Sequence, residues 1–403
     1  LFNELENAMK SEPITISDPV TIDDLNHLAV RAGGIIAELR KRMLLPNASK
    51  NPPVISSETM ALIAGISQPK LSKLIASKKA PQGTVAPGSR RVFSLEEAQL
   101  WARQERKEHM RPAGAKAVTI ATAFFKGGVT KTTTTMTVAQ GLSLLGHRVL
   151  NIDMDPQGSL TTLHGLLPDS EIGDEDTLGP LFHGDKADVK YAIRKTYWTG
   201  IDLIPAASAM FSAEFALPAQ QMNDRSFEFW DVLNKGLESV REEYDVILID
   251  TPPSLSYMTI NALFAADGMI VPMTASMLDM ASSSQFWNLF SDMAGAISSK
   301  LSTPKEYDFI NILLAKIDNN DTTTRAVREW ISTVYGGKVL PVEIPLTAVS
   351  GSAASEFSTV FDITKYDGDK RTYKRAREAY EALALSVEDS MRMVWAKRGL
   401  KNG

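Results

Sequence analysis

The sequence predicts an α/β fold, a mostly parallel sheet flanked by helices, preceded by a smaller helical module. Three observations carry that expectation. A β-rich run, Val118 to Phe125, passes through a glycine-containing turn into a helix-like run, Thr132 to Leu145, the strand–loop–helix opening of a parallel sheet. Two apolar runs, Arg148 to Ile152 and Tyr244 to Ile249, each lead into aspartate, as buried parallel strands do where their carboxyl ends face a ligand. Ahead of them, Ser57 to Ser77 has helix–turn–helix spacing and is followed by a short basic strand.

The chain has 403 residues, 44% of them hydrophobic, enough for a full core and for two or three domains. No stretch approaches about 18 consecutive apolar residues. Leu1 to Lys10 has acidic residues where a secretion signal is basic and then apolar, so a cytoplasmic setting is expected. The missing initiator methionine suggests truncation. Zero cysteines exclude disulfides, cysteine-ligated metal centres and thiol nucleophiles. The net charge of −5 hides an asymmetry: residues 1–112 carry 16 Lys and Arg against 12 Asp and Glu, the remainder 27 against 36. A basic front on an acidic body points to local nucleic-acid contacts.

In chain order, residues 1–46 read as a helical arm, a candidate dimerisation element, with Leu25, Leu28, Ile35, Ile36, Leu39 and Met43 at roughly helical spacing. The prolines around Asn47 to Pro53 mark a linker. Residues 54–110 read as a winged helix–turn–helix. Ala61 is the small residue where two helices touch, Gly65 makes the turn, and Ile66, Leu71 and Leu74 lock the angle. The second helix offers Gln68, Lys70 and Lys73 to groove edges and phosphates, and the strand offers Arg90 and Arg91. Ser94 to Glu97 is a capping box for a further helix through about Glu108, and 111–116 reads as the interdomain linker.

Residues 117–403 read as the main domain with its C-terminal helices. Its loop runs Phe-Phe-Lys-Gly-Gly-Val-Thr-Lys-Thr-Thr from Phe124 to Thr133, and the expected phosphate cradle is Lys126, Gly127, Gly128, Val129, Thr130, Lys131, Thr132 and Thr133. The glycines free the backbone to turn its N–H groups inward, Lys131 adds charge, and the Thr132 hydroxyl is placed for magnesium. This is a P-loop NTPase pattern, with Thr130 where the general form has glycine and with the extra Lys126. Asp153 and Asp155 end the second strand, and Asp250, before Thr251-Pro252-Pro253, ends a later one in the Walker B position.

These motifs, in this order, resemble the ParA/MinD family of ATPases with a deviant Walker A loop, K-G-G-x-x-K-[ST]. Together with the front helix–turn–helix they resemble the larger, plasmid-type ParA proteins. The resemblance implies ATP and ADP with Mg2+ as ligands, and Lys126, Lys131 and Asp155 as catalytic residues. Lys126 reaches across a homodimer and Asp155 positions the attacking water. Thr132, Asp250 and, as support, Asp153 hold the metal. Asp318, ending a later strand, is expected near adenine. The implied function is ATP-dependent DNA segregation, with autorepression at an operator, slow turnover raised by a ParB-type centromere-binding partner and DNA, and a place on the nucleoid without membrane binding. Lys370, Arg371, Lys374 and Arg375, with Arg377 sharing their helix, offer a face for non-specific DNA. The alternative is a MinD-like membrane-associated positioning ATPase, for which Met391 to Lys397, with Val394 and Trp395, is the candidate amphipathic helix.

Overall fold

The computed structural model describes residues 19–43, 50–86, 90–168, 170–300, 304–318, 320–347, 349, 357–363 and 368–401. They form two compact units, divided between Ser49 and Lys50. The first contains helix α1 (Ile22–Met43), opened by a reciprocal cap in which the Asp24 N–H donates to Thr21 Oγ1 and the Thr21 N–H to the Asp24 carboxylate. Its Leu25, Leu28, Ile35 and Ile36 are exposed within that unit. The side chains of Leu39 and Met43, and residues 44–46, lie outside the described residues.

The second unit starts with β1 (Ile55–Ser56), α2 (Ser57–Ile63), α3 (Gln68–Ala76), β2 (Thr84–Ala86), β3 (Arg90–Phe93) and α4 (Leu95–Glu105). The strands form an antiparallel sheet in the order β1-β3-β2. Ser56 caps α2, Gly65 turns the chain at φ +62°, and Met60, Ala61, Leu71 and Ile75 are buried between the helices. Leu74 is only half-buried, because Ile75 takes the inner position. Ser94 and Glu97 make the reciprocal cap of α4, which ends at Glu105, short of the expected Glu108, before a 3-10 turn. The hairpin β2–β3 stands where the wing was expected; residues 87–89 of its connection lie outside the described residues.

The main sheet follows with β4 (Val118–Thr122), α5 (Lys131–Leu144), β5 (Val149–Asp153), α6 (Ser159–Leu163), α7 (Gly179–His183), β6 (Arg194–Lys195) and β7 (Ile201–Ile204). Next come α8 (Ala213–Asn223), α9 (Val232–Leu237), β8 (Val246–Asp250), α10 (Tyr257–Ala265), β9 (Gly268–Thr274), α11 (Met277–Ser298), β10 (Phe309–Ile317), α12 (Thr322–Tyr335), β11 (Val339–Pro345) and α13 (Lys370–Lys401). Among the described residues the order is β11-β10-β9-β4-β8-β5-β7-β6, parallel except for β6 against β7. The central strands β4, β8 and β5 are buried along their whole length, which is why they read as continuous apolar runs. Register pairs Thr122 with Asp250 and Asp250 with Asp153, so three functional strand ends meet side by side.

Three features differ from the expectations. Residues 111–116 are clamped, with the Arg111 guanidinium donating to the Asp245 carboxylate at 3.0 Å and to the Glu242 carbonyl at 2.7 Å. The winged module also shares one apolar cluster with the body, in which Met60, Leu71, Phe93 and Trp101 join Leu142, Trp198, Val394 and Trp395. The same packing removes the amphipathic membrane helix. Met391, Val394 and Trp395 are buried inside this unit, and the Trp395 indole donates to the Lys116 carbonyl at 3.1 Å. No helix among the described residues is long and apolar enough to cross a membrane.

A buried ion pair fastens α4 to α13. Arg106 donates to both oxygens of Glu388, at 2.8 and 2.7 Å, and His147 lies 2.8 Å from the same carboxylate. Burial acts to raise the Glu388 carboxyl, but the bonds from His147 and Arg106 win and hold it at about 2, against an ordinary 4.5. Its folded pKa is depressed, so the stabilisation is present above 4.5 and is lost as pH falls toward about 2. Glu388→Gln strands a buried cation and is expected to cost roughly 3–5 kcal/mol at neutral pH. Urea unfolding of both proteins across pH checks this: the gap should be constant above 4.5 and narrow below it.

Candidate functional site

The loop between β4 and α5 lies at the carboxyl edge of the sheet, where α/β proteins place ligands. Gly127, Gly128, Thr130, Lys131, Thr132 and Thr133 line a cavity of about 740 Å³, together with Asp155, Leu163, Thr251, Lys316, Leu346, Phe357 and Tyr380 among others. Val129 turns its side chain into the core and leaves only backbone to the loop. Gly128 has φ +75° and Thr130 φ +76°. For threonine that left-handed backbone costs about 1–2 kcal/mol, strain placed in the loop that lines the cavity. The Lys131 ammonium donates to the Lys126 carbonyl at 2.9 Å, drawn across the loop it serves. Burial pushes its pKa down, with Asp250 and Asp155 opposing.

Asp250 is the most telling group. It is fully buried, Thr135 donates to its Oδ1 at 3.3 Å, and its Oδ2 has no hydrogen-bond partner within the protein. A buried carboxylate oxygen left unpaired is costly unless a cation completes it. Burial, then the neighbouring Asp153 charge, raise its pKa, while the Thr132 hydroxyl helps the charged form. Thr132 and Asp250 thus fit a divalent cation bridging to phosphate. Asp153 is engaged differently from its expected place in the metal shell: one oxygen accepts from the Thr161 N–H and hydroxyl, each at 2.8 Å, the other from the Asp155 N–H at 3.2 Å. It braces the loop that presents Asp155. Asp155 is half-buried on the cleft wall, and its carboxylate accepts from the Gln157 N–H at 3.0 Å.

Two residues were missed from the sequence. Lys126 is ion-paired with Asp279 at the start of α11, whose other oxygen accepts from the Thr274 N–H and hydroxyl at 2.9 and 2.6 Å. The only signal there was Ser276-x-x-Asp279, which reads as a helix start. Lys316 holds φ +54° and sends its ammonium to the Gly128 carbonyl at 2.8 Å, beside the cradle. Asp318, expected near adenine, accepts from the Asn320 N–H at 2.9 Å and caps a turn.

The basic positions are spread over two surfaces. Gln68, Lys70, Lys73 and Arg90 are exposed on α3 and the wing, whereas Arg91 is half-buried and donates to the Gln82 carbonyl, bracing the hairpin. Lys370, Arg371, Lys374 and Arg375 are exposed on the first turns of α13, Lys374 being 3.7 Å from Glu378. Arg377 departs from that face: it pairs with Glu381 at 2.8 Å and lies over the Phe361 ring. A larger cavity, about 1200 Å³, sits at the opposite ends of the strands. Four of its charged residues pair with one another, Arg241 with Glu238 and Arg398 with Asp267.

Asp250→Asn keeps the shape of the site and removes the charge a cation needs. With ADP present, addition of Mg2+ is expected to raise the melting temperature of the wild type and leave that of the variant within about 1 °C, read by thermal denaturation.

Comparison with known proteins places this geometry. A family model described as an AAA domain matches residues 117–303. SopA of Escherichia coli is 37% identical over 246 residues, covering 60% of this chain and 62% of SopA. The chromosome partitioning protein ParA of Caulobacter vibrioides is 31% identical over 263 residues, 64% of this chain and 92% of that protein. A solved partition protein, 18% identical, superposes with a TM-score of 0.62 over 91% of this chain and 96% of its own, a likeness of fold. Cobyrinic acid a,c-diamide synthase from Mycobacterium smegmatis, solved with a bound ATP analogue and magnesium, is 28% identical with a TM-score of 0.53 over 66% of this chain and 92% of that one. A glycine-lined loop with two lysines, facing an aspartate-ended strand in a chain that aligns with nearly all of a chromosome partitioning protein, identifies this chain as a member of the ParA family of partition ATPases.

Proposed function

We propose that the protein is an ATP-dependent DNA segregation switch that binds Mg-ATP in the loop cleft, pairs with a second copy of itself through Lys126, and holds DNA in that state. The observation that carries this reading is the meeting of Gly127, Gly128, Lys131, Thr132 and Asp155 around one cleft, with the unpartnered oxygen of buried Asp250 next to the cleft-lining Thr251. Nucleotide and metal bound to a relative of the same fold support the choice of ligands.

In this reading the Gly127 to Thr133 backbone N–H groups and the α5 N-terminus receive the phosphates, and Lys131 neutralises charge as it develops on them. Thr132 and Asp250 would hold the magnesium ion, which would supply charge to offset that of the phosphates. Asp155 orients the attacking water, and Asp153 keeps Asp155 in place through its N–H. Lys126 leaves Asp279 to reach the nucleotide of the second copy. Turnover is slow alone and raised by a ParB-type centromere-binding protein and DNA, on the nucleoid in the cytoplasm. The winged module reads the operator with Gln68, Lys70, Lys73 and Arg90, with Arg91 stiffening the wing, and represses its own transcription. Lys370, Arg371, Lys374 and Arg375 hold random DNA by counterion release.

Lys126→Ala is expected to leave nucleotide binding by the single chain measurable and to abolish the ATP-dependent dimer in sedimentation velocity. Normal dimerisation would sink the cross-subunit role. For DNA, substitutions are the clean test, because truncating the winged module exposes the apolar cluster it shares with the body. Lys70→Ala with Lys73→Ala should weaken binding to the protein's own promoter and spare random DNA. Lys370→Ala with Lys374→Ala should lower the log–log salt slope for random DNA by about 2, one for each phosphate that is no longer neutralised. A membrane-positioning role predicts ATP-dependent co-sedimentation with anionic vesicles and no such salt slope.

A further inference from the structure

The segment Asn47 to Pro53 read as a linker, yet its described end holds a lysine in an unusual place. The Lys50 side chain is only 8% exposed, and its ammonium faces four acceptors. They are the carbonyls of Leu163 at 2.9 Å and Phe357 at 2.8 Å, the Tyr197 hydroxyl at 3.2 Å and the Asp362 carboxylate at 3.2 Å. The same ammonium lies 4.5 Å from the centroid of the Tyr197 ring. A buried ammonium persists only where its partners are fixed, so this is a built site rather than a chance encounter.

What those partners have in common is the nucleotide cleft. Leu163 ends α6, the helix that follows the Asp155 loop, and both Leu163 and Phe357 line the cleft. Phe357 holds φ +50°, a strained backbone for a non-glycine residue, while presenting its carbonyl to Lys50. Asp362 accepts from the Gln140 amide at 3.2 Å and the Tyr197 hydroxyl at 2.5 Å, and Gln140 belongs to α5, which begins at the phosphate loop. At Gly165, a Cβ would sit 3.0 Å from Lys50 Cγ, so the chain after α6 is moulded around this side chain. On the other side, Pro52 and the buried Pro53 lead into β1, where Ile55 pairs with Phe93 of the wing strand β3. Two consecutive prolines with fixed φ make that connection stiff.

We propose that Lys50 is a positioning residue of the nucleotide site, which ties the Phe357 wall to the end of α6 and passes their spacing through Pro52 and Pro53 to the root of the winged module. This rests on the reading that the cleft binds adenine nucleotide. Occupancy of the cleft sets the separation of Leu163 and Phe357. Lys50 bonds to both, so the first strand of the module responds to nucleotide, and by linkage the module's state feeds back on nucleotide affinity.

The test uses the full chain with Mg-ADP and Mg-ATP. Lys50→Met is expected to raise the dissociation constants of both nucleotides about tenfold, a shared factor because the wall is common to both, while kcat stays within about threefold. Hydrogen exchange across residues 50–56 is expected to slow on nucleotide addition in the wild type and not in Lys50→Met; a purely structural lysine lowers the melting temperature without that difference. Affinities within twofold of wild type, or wild-type exchange across 50–56 indifferent to nucleotide, overturn the proposal. Should Lys50→Met fail to fold, Tyr197→Phe, which removes one partner and keeps the ion pair, is expected to weaken both nucleotides about threefold, and unchanged affinity overturns it equally. A wild type that binds no adenine nucleotide sinks the reading of the cleft itself; a wild type that binds beside a Lys50→Met that binds equally sinks only the role of Lys50.

Discussion

A buried carboxylate with one oxygen unanswered by the protein is the constraint around which this structure is arranged. Asp250 ends the central strand β8, flanked in register by Thr122 on one side and Asp153 on the other, and is fully buried. Two neighbouring buried acids repel, and the fold meets that cost with what lies opposite. Lys131 approaches from the loop, Thr161 and the Asp155 N–H satisfy Asp153, and Thr135 takes one Asp250 oxygen. The remaining oxygen fits a cation, and a cation beside a glycine-containing loop that opens a helix fits phosphate.

The elements around that centre hold it still from several directions. Phe361 and Tyr380 pack in the same apolar cluster as Leu142 of α5, and the Arg106–Glu388–His147 cluster fastens α13 to α4 and to the turn after α5. The winged module is therefore built into the body, its Trp101 fully enclosed and its Gln99 amide donating to Ser143 at 2.6 Å on the phosphate-loop helix. A module sharing its core with a nucleotide domain cannot move independently of it. Strain on either side is felt by both, because packed interiors respond as discrete arrangements and not as fluids.

Charge is distributed on the same plan. Lysines near the cleft are each held by a named oxygen: Lys126 by Asp279, Lys131 by the Lys126 carbonyl, Lys316 by the Gly128 carbonyl. The basic residues of α3 and the first turns of α13 are instead exposed, on surfaces that can meet a polyanion. Arg91 and Arg377 show how little a basic residue's place in the chain says about its use, since both are consumed by local partners.

Much of the fold was legible in the chain because its signals are local. A continuous β-branched run ending in Asp250, a glycine turn before a helix, and a Ser94–Glu97 cap each depend on a few adjacent residues, and the physics that reads them needs no distant partner. Sequence alone therefore determined the mostly parallel sheet with its flanking helices and the loop–helix opening on which the phosphate cradle was expected. It could not show which of them would be occupied by neighbours far along the chain. The pairing of Lys126 with Asp279, the capture of Lys50 by Asp362 and the burial of Trp395 against Lys116 span separations that no local pattern encodes. Those partnerships exist only once the sheet and its helices have closed, because a buried charge or indole takes whichever acceptor the completed packing leaves within reach.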